Sequence, residues 1–442
     1  MQWINLLNAN RFKQETKNLN PVEIRSQFQR DYDRIIFAPS FRRLQNKTQV
    51  FPLPGSVYVH NRLTHSLEVA SVGRSLGRKV ANYLMSVEKN IPIQLLEEIP
   101  TIVSTACLCH DMGNPPFGHS GEDALSKYFR EGAGQKLRKE FSEQQWFDLS
   151  YFEGNANALR LMTHQFRGRR QGGFVNTYAT LASIIKYPYA STHSGGAKYG
   201  FFETEKDSFK EIMGQTGLHQ KPDGTYSRHP LVFLVEAADD ISYVLMDMED
   251  AHRLNILSFE EMLTYLSPFY EEDELLMANF KKVQQEVSDK NEIIAFLRAS
   301  IINKLINACA DVFVSNYEDI MKGNFTDALY KHMPDHLMQN MKACKTMSVK
   351  RIYNHRSVVK IQLAGYHVLG TLLEEFINAI QNPGESYSQQ LMSLIPAQFD
   401  VLNGSLYEKT RSVLDFISGM TDIYAVQLFR DIRGIDFEQW PV

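Results

Sequence analysis

The apolar run from Thr101 to Cys109 leads straight into His110-Asp111. An imidazole beside a carboxylate at the edge of a buried element is costly unless the two are paired or bound to a metal. Gly113, Pro115, Pro116 and Gly118 then impose a tight turn. Beyond it, His119 and Glu122 stand three apart at the start of the next helix and share one face. Taken alone, the His-Asp pair reads equally well as a ligand pair or as a satisfied structural hydrogen bond. Two other stretches bear on the choice.

The segment Leu231 to Leu254 begins as an apolar helix and then carries Glu236, Asp239 and Asp240 in its middle. Acidic groups embedded in such a run need a compensating cation. Arg62 to Leu84 reads as an amphipathic helix with His65 in its first turns, where a core histidine competes with a ligand. Together His65, His110, Asp111 and Asp239 offer two imidazoles and two carboxylates from three helices. With carboxylates and no thiolate, that donor set suits Mn2+, Mg2+, Co2+, Ni2+ or Fe2+ better than structural zinc. An octahedral ion so held keeps about two positions for water or a phosphate oxygen, and can polarise a phosphoryl group.

The elements that must position these groups are helical throughout. Of the 442 residues, 43% are hydrophobic and 11% aromatic, enough for a packed globular core. The net charge of -4 argues neither for nor against nucleic acid, so any phosphate-binding region must be local. Cys107, Cys109, Cys309 and Cys344 are too scattered for a disulfide framework and read as buried thiols. No secretory leader and no run long enough to span a bilayer is apparent, which predicts a cytoplasmic protein with no membrane contact.

The predicted organisation is an N-terminal arm at 1–20, loosely held, a core at 21–257 and a C-terminal helical region at 258–442. From Pro21 the pattern turns helical through Val22, Ile24, Phe28 and Tyr32, and Pro52, Pro54 and Gly55 end the next segment. Arg42, Arg43 and Lys47 could hold phosphate or form a solvated face. Residues 130–150 read as a surface loop or short helix, and Arg167 to Gly173 as an exposed basic loop that could also grip nucleic acid. The stretch 186–230, rich in Tyr, Lys, Gly, Ser and Pro, suits a mobile substrate loop with Lys186 and Lys198 as phosphate contacts.

The segments FRRLQNKTQVFP, RLTHSLEVA, HDMGNPPFGHSGEDAL, YFEGNANALRL, LVEAADDISY and DFISGMTDIYA resemble those of the deoxyguanosine triphosphate triphosphohydrolases, in the same order. These enzymes are members of the HD phosphohydrolase superfamily. HD alone is a weak signal; HD followed by GNPPFGH and, downstream, EAADDISY is specific. The resemblance implies an all-α fold, with an HD-domain helical core and an appended C-terminal helical region.

It further implies His65, His110, Asp111 and Asp239 as metal ligands, with Asp239 rather than Asp240 in that role, and His119 and Glu122 as the catalytic pair. Gln49 and Tyr243 match positions around the deoxyribose, and Arg43, Asn155, Lys186 and Lys198 positions near the phosphates. The stretch Val359 to Ala397 aligns only loosely with the part associated with base recognition and subunit contacts, and Phe51, Tyr353, His355 and Gln362 are candidates for contact with the base. The implied reaction is dGTP plus water to deoxyguanosine and inorganic triphosphate, with Mn2+ or Mg2+ as cofactor. The implied assembly is a homo-oligomer, a ring-like hexamer. Two other readings stand beside it: an HD phosphohydrolase acting on another nucleotide, and a nucleotide- or single-stranded-DNA-binding module with a vestigial metal site.

Overall fold

Asn61 and Thr64 begin the helix Arg62–Val87 with a reciprocal cap. The Asn61 side chain accepts from the Thr64 amide at 3.0 Å, and the Thr64 hydroxyl accepts from the Asn61 amide at 3.1 Å. Gly73 and Gly77 on this helix set how closely its neighbour approaches. A Cβ on Gly77 would stand 2.9 Å from the Cα of Pro100, and one on Gly73 would stand 2.5 Å from the sulfur of Cys107. The helix Ile99–Cys109 lies in that space with every residue but Thr101 buried, which is why its sequence reads as apolar all round. The helix Pro230–Arg253 packs on both and buries Pro230 to Val235 without a break. Gly113 performs a similar service after the His-Asp pair. A Cβ there would fall 2.0 Å from the Gly154 carbonyl oxygen, so the turn sits directly on the start of the helix Gly154–Thr163.

The computed structural model describes residues 1–14, 24–52, 59–271 and 273–435. Among these the protein is all-α, with 21 α-helices and only isolated β-bridges. One hydrophobic core joins these central helices to the helices Lys290–Ser315 and Asp335–Met347. A second lies under the helix His119–Arg130, where Arg356–Gln381 and Leu406–Ser418 pack together. The C-terminal region therefore supports the His119 helix directly, and the packing does not divide at residue 257.

Three expectations change. The first fourteen residues are anchored rather than loose. Trp3, Leu6, Leu7 and Phe12 are buried, and the Trp3 indole donates to the Tyr317 hydroxyl at 2.7 Å. The rest of the arm, with Pro21 and Val22, lies outside the described residues, as do Pro54 and Gly55; the predicted helix is seen from Gln27 to Ile36. The stretch 186–230 contains the helix Lys206–Gln215 and buries Tyr199, Phe201, Phe202 and Phe209, so it is packed rather than a structureless loop. Finally, Lys290–Ser315 is long and apolar enough to cross a membrane. Here Leu297, Ile301, Leu305 and Phe313 are buried where it packs on Arg62–Val87 and Pro230–Arg253, as in a core helix.

Residues 133–150 form a short 3-10 helix and the helix Glu143–Ser150. The anchoring of the N-terminus is measurable. Trp3→Ala should lower the unfolding free energy by about 3–5 kcal/mol, the range for truncating a buried aromatic. Chemical denaturation reads this directly, and an unchanged midpoint would mean that the first helix is not part of the core.

Candidate metal centre

His65 comes from the first turn of Arg62–Val87, His110 caps the end of Ile99–Cys109, and Asp239 lies midway along Pro230–Arg253. Asp239 Oδ1 stands 3.2 Å from His65 Nε2 and 3.6 Å from His110 Nε2. The three ligand atoms all lie within 4.8 Å of one another. His110 Nδ1 donates to the Cys107 carbonyl at 2.6 Å, which orients the ring with its Nε2 toward Asp239. Burial works against the charged form of Asp239, but the His65 hydrogen bond and the charge of His110 hold its carboxyl below the usual range. Burial raises the pKa of Cys107 and Cys109, which keeps both thiols protonated and out of the donor set. Two imidazoles and a carboxylate converging in this way fit a divalent ion of intermediate to hard character.

Asp111 stands at the margin. Its Oδ1 is 3.7 Å from His110 Nε2. The carboxylate also accepts from Arg62 Nη1 at 2.7 Å and from the Asn114 amide at 2.5 Å. Although burial opposes it, the Arg62 guanidinium holds this carboxyl below the usual range. Asp240, next to Asp239, lines the same cavity but pairs with Lys345 at 3.0 Å; burial pushes its pKa up to about 6.

His119 and Glu122 begin the helix His119–Arg130. The His119 side chain is 87% exposed, that of Glu122 only 11%. The carboxylate is thus the fixed partner and the imidazole the accessible one. Glu122 Oε2 accepts from His119 Nδ1 at 2.8 Å, and its Oε1 accepts from the Gly154 amide at 2.9 Å. The hydrogen bond to Glu122 raises the His119 pKa above its ordinary value. Burial of Glu122 opposes ionisation, yet His119 keeps its pKa low.

Both clusters open onto one cavity of about 670 Å³, within the range that encloses small ligands. Gln49, Asn155, Lys186, Lys198 and Tyr243 line it, as do Tyr353 and Gln362. Lys186 pairs with Glu236 at 3.1 Å and Lys198 with Glu153 at 2.8 Å. Arg43 is a correction: it lies off the cavity, on the 3-10 turn Arg43–Asn46, with its guanidinium toward Gly419 and near the charge of Arg169. Phe51 is buried in the core, and neither it nor His355 lines the cavity.

The sequence reading missed Arg62, Asn114, Glu153 and Asp247, all of which line the cavity. Arg62 had a signal, since it precedes His65 by one helical turn and so shares its face. Asp247 is buried, accepts from the Tyr353 hydroxyl at 2.7 Å and has its pKa raised by burial to about 7.

Residues 62–185 match the family described as HD domain, and residues 331–431 the family described as Phosphohydrolase-associated domain. A deoxyguanosinetriphosphate triphosphohydrolase-like protein of Synechocystis sp. is 36% identical, over 98% of this chain and 100% of its own length. A protein of the same description from Pseudomonas aeruginosa is 35% identical, over 98% of this chain and 99% of its own. A deoxyguanosinetriphosphate triphosphohydrolase of Yersinia pseudotuberculosis is 30% identical, over 96% and 97%.

Two outcomes follow from the geometry. Protein purified without chelator should carry a divalent metal, and Asp239→Ala, which removes the oxygen facing both imidazoles, should lose it on elemental analysis; full retention would place the ion elsewhere. The second concerns protonation. Glu122 raises the His119 pKa, so His119 stays protonated to higher pH than a free histidine, and Glu122→Gln should move its midpoint down toward about 6.5. The His119 ring-proton resonance followed against pH reports the midpoint, and no movement would mean that Glu122 does not control it.

Proposed function

The chain belongs to the deoxyguanosinetriphosphate triphosphohydrolase family of HD-domain phosphohydrolases, and from that premise we propose that it hydrolyses deoxynucleoside triphosphates to the deoxynucleoside and inorganic triphosphate. The observation that carries the reading is the single cavity onto which His65, His110 and Asp239, the His119–Glu122 pair and two lysines all open. A triphosphate needs cations along its length and a proton-transfer group at the bond that breaks. The names of the relatives put dGTP first among substrates.

In this reading water attacks the α-phosphorus, the bond to the 5′-oxygen breaks, and that oxygen leaves with a proton. His119 is the donor: Glu122 holds its Nδ1 and raises its pKa, so the ring keeps its proton to higher pH than a free histidine. Arg62, Lys186 and Lys198 face the charged phosphates, each held in place by a carboxylate. Gln49 and Tyr243 lie at the deoxyribose, where close packing disfavours a 2′-hydroxyl. A divalent ion held by His65, His110 and Asp239, with Asp111 at its margin, would supply Lewis acidity to the phosphoryl oxygens and a more acidic water.

The test is turnover of each dNTP with Mn2+ or Mg2+, with chromatography distinguishing deoxynucleoside from deoxynucleoside monophosphate. His119→Ala should lower kcat by about 10²–10⁴, the usual range for losing a general acid, while metal content and nucleotide affinity change little. A His119→Ala enzyme within a few-fold of the wild type would reject the role given to His119.

A further inference from the structure

Asp422 begins the helix Asp422–Arg433, but it does not cap it; that role falls to Thr421, whose hydroxyl accepts from the Tyr424 amide at 3.2 Å. The Asp422 carboxylate points across to the site instead. Its Oδ2 accepts the Thr48 amide at 2.8 Å and its Oδ1 the Phe117 amide at 3.1 Å. The residue is only 7% exposed, so these two bonds are made away from solvent. Thr48 directly precedes Gln49, and Phe117 and Gly118 directly precede His119.

The turn that Asp422 grips is strained. Phe117 has φ 62° and Gly118 φ 59°, two consecutive residues in the left-handed region. A large side chain rarely adopts that conformation, and it persists only where the surroundings hold it. A second tie joins the same three segments. Lys47 Nζ donates to the Asn114 carbonyl at 2.6 Å and to the Ser418 carbonyl at 2.8 Å. Two segments of the cavity wall are thus tied to one point in the C-terminal region.

We propose that Asp422 is a positioning residue: it fixes the Phe117–Gly118 turn, and through it His119, while holding the neighbouring Thr48–Gln49 segment of the cavity wall. The inference rests on the role given above to His119. Proton transfer is sensitive to displacements of about 1 Å, which can slow a reaction about a hundredfold. Releasing the turn should therefore act on kcat through His119. Releasing Thr48 should act on KM through Gln49.

The experiment is a double-mutant cycle between positions 422 and 119, read as kcat and KM for dGTP together with bound metal. Asp422→Ala should lower kcat about a hundredfold with metal retained. In the His119→Ala background the same change should leave kcat within about threefold, because the group it positions is already gone. KM should rise in both backgrounds. Should Asp422→Ala not fold, Asp422→Asn runs the same cycle; it keeps the volume and one acceptor, and should show a smaller loss of kcat with the same non-additivity. A full loss repeated on top of His119→Ala would mean that Asp422 acts on the fold at large and would overturn the proposal. A slow His119→Ala enzyme beside an unimpaired Asp422→Ala enzyme would overturn it alone. A fast His119→Ala enzyme would remove the role of His119, and this inference with it.

Discussion

A carboxylate set midway along an apolar helix is the constraint on which the rest depends. Asp239 is half-buried at the cavity wall, and its ionised form is favoured there only by positive charge or hydrogen-bond donors close by. Two imidazoles meet it at 3.2 and 3.6 Å, each brought by a different helix. Their approach needs close packing, which Gly73 and Gly77 allow by leaving room for Cys107 and Pro100. Packing and site are therefore one problem. The helices come close enough for three ligands to converge only because glycine stands where a larger residue would hold them apart.

Around that centre, further buried charges tie distant parts of the chain to the cavity. Arg62 pairs with Asp111 beside the ligands, and Glu122 joins His119 to the start of the helix Gly154–Thr163. Deeper down, Arg160 is fully buried and pairs with Asp415 at 2.7 Å and with Glu205 at 2.6 Å. Breaking one partner of such a pair leaves an uncompensated buried charge, so these contacts specify geometry more than they add stability. They link the stretch 186–230, the His119 helix and the C-terminal helices. The C-terminal region is in this sense part of the site's scaffold.

The site was legible in the sequence where a residue type was out of place for its surroundings. His110-Asp111 at the end of an apolar run and Asp239 inside another are local anomalies, and the structure brings His65, His110 and Asp239 together. The His119–Glu122 spacing also reads locally, because three residues on a helix give one face whatever surrounds it. Arg43 and Arg62 mark the limit. Both are basic residues beside apolar ones, and only tertiary structure decides which faces the cavity: a 3-10 turn aims Arg43 at Gly419, while Asp111, the partner of Arg62, lies 49 residues on in the chain. The anchoring of Trp3 was hidden for the same reason, since its partner Tyr317 lies at the other side of the sequence. The second core escaped notice because its two halves, around residues 117–156 and 368–428, are far apart in the chain.

The central claim is that one cavity directs water to the α-phosphorus and expels the 5′-oxygen. Hydrolysis of dGTP in 18O-enriched water, followed by phosphorus NMR, tests it most directly, because the label marks the atom that water attacked. The account predicts one 18O on a terminal phosphorus of inorganic triphosphate and none in the deoxyguanosine. Label in the 5′-hydroxyl of the nucleoside, or in pyrophosphate or orthophosphate released beside a nucleotide, would contradict it.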